Sequence, residues 1–216
     1  MKDRFDLLIF DWDGTLYDSI GWIVECLQFA ALAQGLPMPS DALAKSVIGL
    51  SISEAMEAMC PGSSPAQVQA LVGHYRRHYH TRPTTADGLF EGVPMLLGAL
   101  RSRGCQLAVA TGKNRNGLDH ALAATGMGGY FQATRCADET ASKPHPRMLF
   151  QIMEELRASP ERTLMIGDSL HDLRMADNAG VAAVAVGCGA NSLEELATLN
   201  PLVSLEATYE LLPLLT

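Results

Sequence analysis

Asp11 and Asp13 stand one residue apart, directly after the apolar run Phe5 to Phe10. Two carboxylates this close repel each other unless a cation or a proton lies between them. The carboxyl end of a buried strand is also where open α/β sheets place their ligands. Gly14 then permits a tight turn. Aspartate followed by glycine also makes ordinary turns, so the pair alone reads as well for a turn as for a catalyst. Thr111-Gly112 follows a second apolar run, Leu107 to Ala110, and offers a hydroxyl and an unobstructed amide to an anion. A plain helix cap would use the same threonine. Lys143 precedes Pro144, which biases it toward an extended backbone, whereas most lysines are simply solvated. Asp168 and Asp172, after the run Thr163 to Ile166, straddle a helix start. Hard carboxylate oxygens from Asp11 and Asp168 suit Mg²⁺, and a capped helix is again the alternative. Each signal is modest alone. Together they fall, in order, at the ends of three different apolar runs, which independent accidents would not produce.

Short apolar runs alternating with helical patterns predict a parallel sheet covered by helices on both faces, a Rossmann-like doubly wound α/β core. The strands are expected at Phe5–Phe10, Gln106–Ala110, Phe131–Thr134, Thr163–Ile166 and Ala182–Val186. Pro94 to Arg103 has helical periodicity and ends at Gly104, a residue suited to the left-handed position after a helix. Between Tyr17 and Thr85 only helical periodicity appears. Ile20, Ile23, Val24, Leu27 and Ala31 share one face, and further helices are expected at 42–48, 53–59 and 65–79, with Ser53 as a cap. Roughly 70 residues of helix far exceeds what a crossover between two strands requires. The expected organisation is therefore a core from residues 1–16 and 86–216, with an all-helical cap over 17–85 hinged near Leu16–Ser19 and Thr84–Gly88.

The segments DWDGTLYDS, VATGK, SKPHP and GDSLHDLRMADNAG resemble, in order, the four motifs of the haloacid dehalogenase superfamily. The inserted helical cap resembles its subfamily I, the group of phosphoglycolate phosphatases and β-phosphoglucomutases. The resemblance implies that Asp11 is a nucleophile that becomes a phosphoaspartate, and that Asp13 protonates the leaving oxygen and then activates water. It implies that Mg²⁺ is held by Asp11, Asp168 and the backbone carbonyl of Asp13. Thr111, the Gly112 amide and Lys143 would hold the phosphoryl group, and Asp172 would orient Lys143 or a metal-bound water. Trp12 fills a position where that family admits varied apolar residues. Dehalogenases of the family lack the second acid and need no metal, so Asp13 points to phosphate chemistry. Substrate contacts are expected from the cap, at Tyr17, Gly49 and Leu50. The expected activity is a Mg²⁺-dependent phosphatase acting on a small phosphorylated metabolite. A β-phosphoglucomutase-type phosphomutase and a non-catalytic binding protein on the same fold are the alternatives.

A chain of 216 residues with a net charge of -8 is poorly suited to nucleic acid or anionic membrane, both of which require clustered Lys and Arg. Five scattered cysteines without CxxC spacing imply neither a zinc site nor a disulfide framework, and reduced thiols fit a cytoplasmic protein. No signal peptide is expected at Met1-Lys2-Asp3-Arg4, and no apolar run reaches the length of a membrane span. A monomer and a homodimer are equally compatible. His74 and His78, one helical turn apart, read first as a partly basic helix face, because the neighbouring arginines oppose a cation. His145 and His171 flank the motifs and could face either substrate or solvent.

Overall fold

The computed structural model describes residues 4–215. Met1–Asp3, within the segment where no signal peptide is expected and at the start of the expected core segment 1–16, lie outside them. Six strands form one parallel sheet: β1 (Leu7–Phe10), β2 (Gln106–Thr111), β3 (Ala133–Cys136), β4 (Thr163–Gly167), β5 (Ala182–Val186) and β6 (Val203–Leu205). Their order is β3-β2-β1-β4-β5-β6, so the chain order reverses between β1 and β4. That reversal opens a crevice at the carboxyl ends of the two strands, where such sheets bind ligands. β1 lies at the centre, with Phe10 opposite Val109 on one side and Ile166 on the other.

Strand alternation divides β1 between two cores. Leu8 and Phe10 face a cluster with Leu96, Leu97 and Leu100, while Leu7 and Ile9 face one with Met148, Leu149 and Ile152. Those partners come from α5 (Val93–Ser102) and α7 (Arg147–Leu156), on opposite faces. The remaining core helices are α6 (Arg115–Thr125), α8 (Leu170–Asn178), α9 (Leu193–Ala197) and the short α10 (Leu212–Leu215). Gly104 takes a positive φ of 83° just after α5, as its position requires.

Between β1 and β2 lie α1 (Ile20–Ala33), α2 (Asp41–Ser46), α3 (Ile52–Met59) and α4 (Pro65–Tyr79). They share their own apolar cluster, in which Ile23, Leu27, Met56 and Leu71 are buried. The chain leaves and re-enters the sheet domain side by side. The Asp18 amide donates to the Gly88 carbonyl at 2.8 Å and the Phe90 amide to the Leu16 carbonyl at 3.1 Å.

Several elements differ from expectation. Strand β3 begins at Ala133 rather than Phe131, because pairing with β2 starts opposite Ala108. The cap of α3 is Ser51 and not Ser53: the Ser51 hydroxyl accepts from the Glu54 amide, and Ser53 lies inside the helix. Helix α2 starts and ends earlier than expected, with Ser40 accepting from the Leu43 amide. Strand β6 was not anticipated. No helix among the described residues is long and apolar enough to cross a membrane.

Candidate active site

One hydrogen bond carries the β1 pairing past the strand, from the Asp11 amide to the Ile166 carbonyl at 3.0 Å. The Asp11 side chain is thereby set at the carboxyl edge of the sheet, beside the ends of β2 and β4. Its Oδ1 accepts from the Trp12 amide at 2.6 Å and lies 2.9 Å from Lys143 Nζ. Among the described residues no protein donor reaches Oδ2. Lys143 is held equally by Asp172, whose Oδ1 is 2.6 Å away. The other oxygen of Asp172 accepts from the Ser169 amide at 3.1 Å and hydroxyl at 2.6 Å, closing the capping box of α8. One carboxylate thus caps a helix and positions a buried lysine. Asp168 accepts from the Thr15 hydroxyl at 2.7 Å and the Ala190 amide at 2.8 Å. A Cβ at Gly14 or Gly189 would run into the Asp168 side chain, so only glycine lets both turns close on it.

Asp11, Asp168, Asp172 and Lys143 are all buried. Burial pushes the Asp11 carboxyl up to about 7; Lys143 opposes the shift, and Asp172 adds to it. Burial, then repulsion from Asp172 and Asp11, holds Asp168 well above the usual carboxylate range. Burial works against the Lys143 ammonium, yet Asp11 and Asp172 hold its pKa above that of a free lysine. Three carboxylates face one ammonium, a buried excess of negative charge that a divalent cation would neutralise. Ligand oxygens of Asp11, Asp168 and Asp172 lie within 4.8 Å of one another, close enough to hold a metal ion. An all-carboxylate set is hard and suits Mg²⁺ or a similar ion.

Asp13 is built differently. Its Oδ1 accepts from the Ser19 hydroxyl at 2.6 Å and pairs with Lys113 Nζ at 3.0 Å. Both contacts fall on Oδ1, and among the described residues no protein donor reaches Oδ2. Lys113 also donates to the Tyr79 hydroxyl at 3.0 Å, bridging Asp13 to the end of α4. Burial opposes its charge, but Asp13 holds its pKa above the ordinary lysine value. Sequence reasoning passed over Lys113, although it closes the run Val109–Lys113; a cation two residues beyond the strand-end threonine was the available signal. Thr111 is the buried last residue of β2, and its hydroxyl accepts from the Lys113 amide at 3.2 Å. It does not cap α6, since Asn114 does, accepting from the Gly117 amide at 2.8 Å.

A cavity of about 280 Å³ opens above these residues. Asp11, Asp13, Thr111, Gly112 and Lys113 form its floor, and Gly49 and Leu50 reach it from the helical segment. The approach is close: a Cβ on Gly112 would lie 2.6 Å from the Gly49 and Leu50 carbonyl oxygens. Two further contacts hold the segment down. The Ser51 amide donates to the Ser142 hydroxyl at 2.8 Å, and His171 Nε2 lies 2.9 Å from the Ser46 carbonyl. Tyr17, expected to contact substrate, does not line this cavity. Its ring stacks on Trp12 and its hydroxyl accepts from the Thr85 amide at 3.2 Å, making it a strut between the two crossing segments. His78 stacks on Phe29 and Trp22, His74 bonds Arg77, and His145 accepts from the Arg147 amide. None of these three joins the acidic cluster.

The family model for haloacid dehalogenase-like hydrolases matches residues 8–186, which include Asp11, Asp13, Thr111, Lys143, Asp168 and Asp172. The chain belongs to that family. Among its relatives, Probable phosphatase IndB of Dickeya dadantii is 33% identical over 208 residues, covering 94% of this chain and 90% of IndB. Tyrosine-protein kinase PtkA of Mycobacterium tuberculosis is 36% identical over 184 residues, 85% of this chain, but the chain spans only 62% of PtkA. A crystal structure from Haemophilus somnus, titled a predicted phosphoglycolate phosphatase, superposes with a TM-score of 0.82 at 25% identity, covering 97% of each chain.

Proposed function

We propose that the chain is a phosphatase that hydrolyses a small phosphate monoester through a phosphoaspartate on Asp11. The observation that carries this reading is the buried group Asp11, Lys143, Asp172 and Asp168 under a cavity that Asp11 and Asp13 reach. Asp11 has one oxygen fixed by Trp12 and Lys143 and the other free of protein donors, the state of an oriented nucleophile. That oxygen forms a bond to phosphorus as the ester P–O bond breaks, and the departing alkoxide takes a proton from Asp13. Asp13 then removes a proton from water, whose oxygen attacks phosphorus. The Asp11–phosphorus bond breaks, and inorganic phosphate leaves.

Thr111 and the Gly112 amide orient the phosphoryl oxygens, and Lys143 offsets their charge where water is excluded. Asp172 positions Lys143. Asp11, Asp168 and the Asp13 carbonyl would hold Mg²⁺, with Asp172 beside them. When bound, the ion supplies charge neutralisation for an anionic nucleophile approaching an anionic ester. Residues 17–85 act as a cap domain on the core formed by 1–16 and 86–216, and Gly49 and Leu50 carry its contact to the site. Phosphoglycolate phosphatase is one of the activities named among similar proteins.

The purified protein with Mg²⁺ is expected to release inorganic phosphate from members of an ester panel, and chelation is expected to stop it. Asp11→Asn should remove turnover and the phosphoenzyme while leaving the circular dichroism spectrum and melting temperature near wild type. Wild-type turnover in that variant would sink the nucleophile assignment. An isomerised sugar phosphate in place of free phosphate would show a mutase instead.

A further inference from the structure

The cavity above Asp11 has an unusual balance of walls. Its floor is polar, but the sides contributed by the helical segment are Ile23, Leu27, Val47, Ile48 and Ala55, all buried and apolar. Tyr75 and Tyr79 close the remaining side, with ring centroids 5.6 Å apart and planes inclined by 26°. The cations that line it lie away from the apolar walls. Lys113 is paired with Asp13 at 3.0 Å, and Arg76 and His80 are solvent-exposed. Burial raises the Tyr75 hydroxyl pKa well above the usual value, so that wall stays neutral.

A carboxylate set against the walls of Ile23, Leu27, Val47, Ile48 and Ala55 would lose its hydration with no cation among them, which is costly. A glycolate group would also leave most of about 280 Å³ unfilled. An apolar or aromatic group would displace water from apolar walls and pack against the Tyr75 ring, both favourable, while the Tyr79 ring already carries the Lys113 ammonium 4.9 Å from its centroid. We infer that the leaving alcohol of the natural ester is uncharged and presents an apolar or aromatic face to Tyr75 and the helical walls. This inference rests on the phosphatase reading and narrows its substrate class away from phosphoglycolate.

The test compares kcat/KM for benzyl phosphate, ethyl phosphate and phosphoglycolate on the wild-type protein with Mg²⁺, followed by phosphate release. Benzyl and ethyl phosphate are both esters of primary alcohols, so the comparison reads recognition more than leaving-group activation. Benzyl phosphate is expected to exceed ethyl phosphate and phosphoglycolate by roughly tenfold or more, the discrimination typical of a filled apolar pocket. Tyr75→Ala should reduce the benzyl-over-ethyl preference about tenfold, chiefly through KM. Phosphoglycolate as the best of the three esters, or equal turnover of benzyl and ethyl phosphate, overturns the substrate class and leaves the phosphatase reading standing. Phosphate release from none of them, nor from a wider ester panel, overturns both.

Discussion

Lys143 shows how much of this site depends on one side chain. It is a fully buried ammonium whose neighbours are the carboxylates of Asp11 and Asp172. Removing one member of a buried charge pair leaves the others uncompensated and typically costs ~3–5 kcal/mol. Lys143→Met is therefore expected to lose phosphate release and to lower stability by about that amount in urea denaturation. A variant as stable as wild type would show that Asp11 and Asp172 are not both ionised in the folded chain. The residue types of the site were readable in the sequence because strand ends collect them: Asp11, Thr111 and Asp168 each follow an apolar run. Lys113 and Tyr75 were not. Nothing in a lysine's or a tyrosine's local pattern says what will face it across 30 or more residues, and the Lys113–Tyr79 bond joins positions 34 apart.

At the scale of elements, patterning served where burial is two-sided. Strand β5 occupies the expected 182–186, since a wholly apolar run between turns has few alternatives. The edge strands were harder. Strand β6 has three residues, too few to show a period, and β3 carries Thr134 and Arg135 in place of a continuous apolar run. For α3, Ser51 and Glu54 had the spacing of a capping box, a better signal than Ser53 alone. That cap matters to the site because Ser51 also ties the helical segment to the core through Ser142. Ser142→Ala removes the acceptor of the Ser51 amide without altering either helix. Hydrogen exchange at the amides of residues 47–51 should become faster by roughly three- to tenfold, the loss of about one hydrogen bond. Unchanged exchange there would mean that Gly112 packing and His171 suffice to hold the segment closed.

For the whole molecule, the excess of buried negative charge is the property that solution measurements should report. A ligand that binds only the folded chain stabilises it by an amount that grows with the logarithm of its concentration, ~2.7 kcal/mol at 100 times Kd. Mg²⁺ is therefore expected to raise the melting temperature progressively, and chelation to reverse the rise. NaCl at matched ionic strength should not reproduce it, and Asp168→Asn should abolish it. An equal rise with NaCl would assign the effect to screening of the net charge of -8. The overall plan, a parallel sheet with a long helical insertion, was legible because strand and helix periods differ over long segments. What was not legible is the chamber between the sheet and the insertion. Its walls come from α1, the segment 47–50, α3, α4 and the loop after β2, and their spacing is set by packing among distant residues.

Lys113 is shared between two bodies of structure: its ammonium rests on Asp13 from the sheet and on Tyr79 from the end of α4. Under the proposed roles this ties the acid–base residue to the helical segment above it. Any excursion that lifts α4 takes the Tyr79 hydroxyl with it and leaves the ammonium to Asp13 alone.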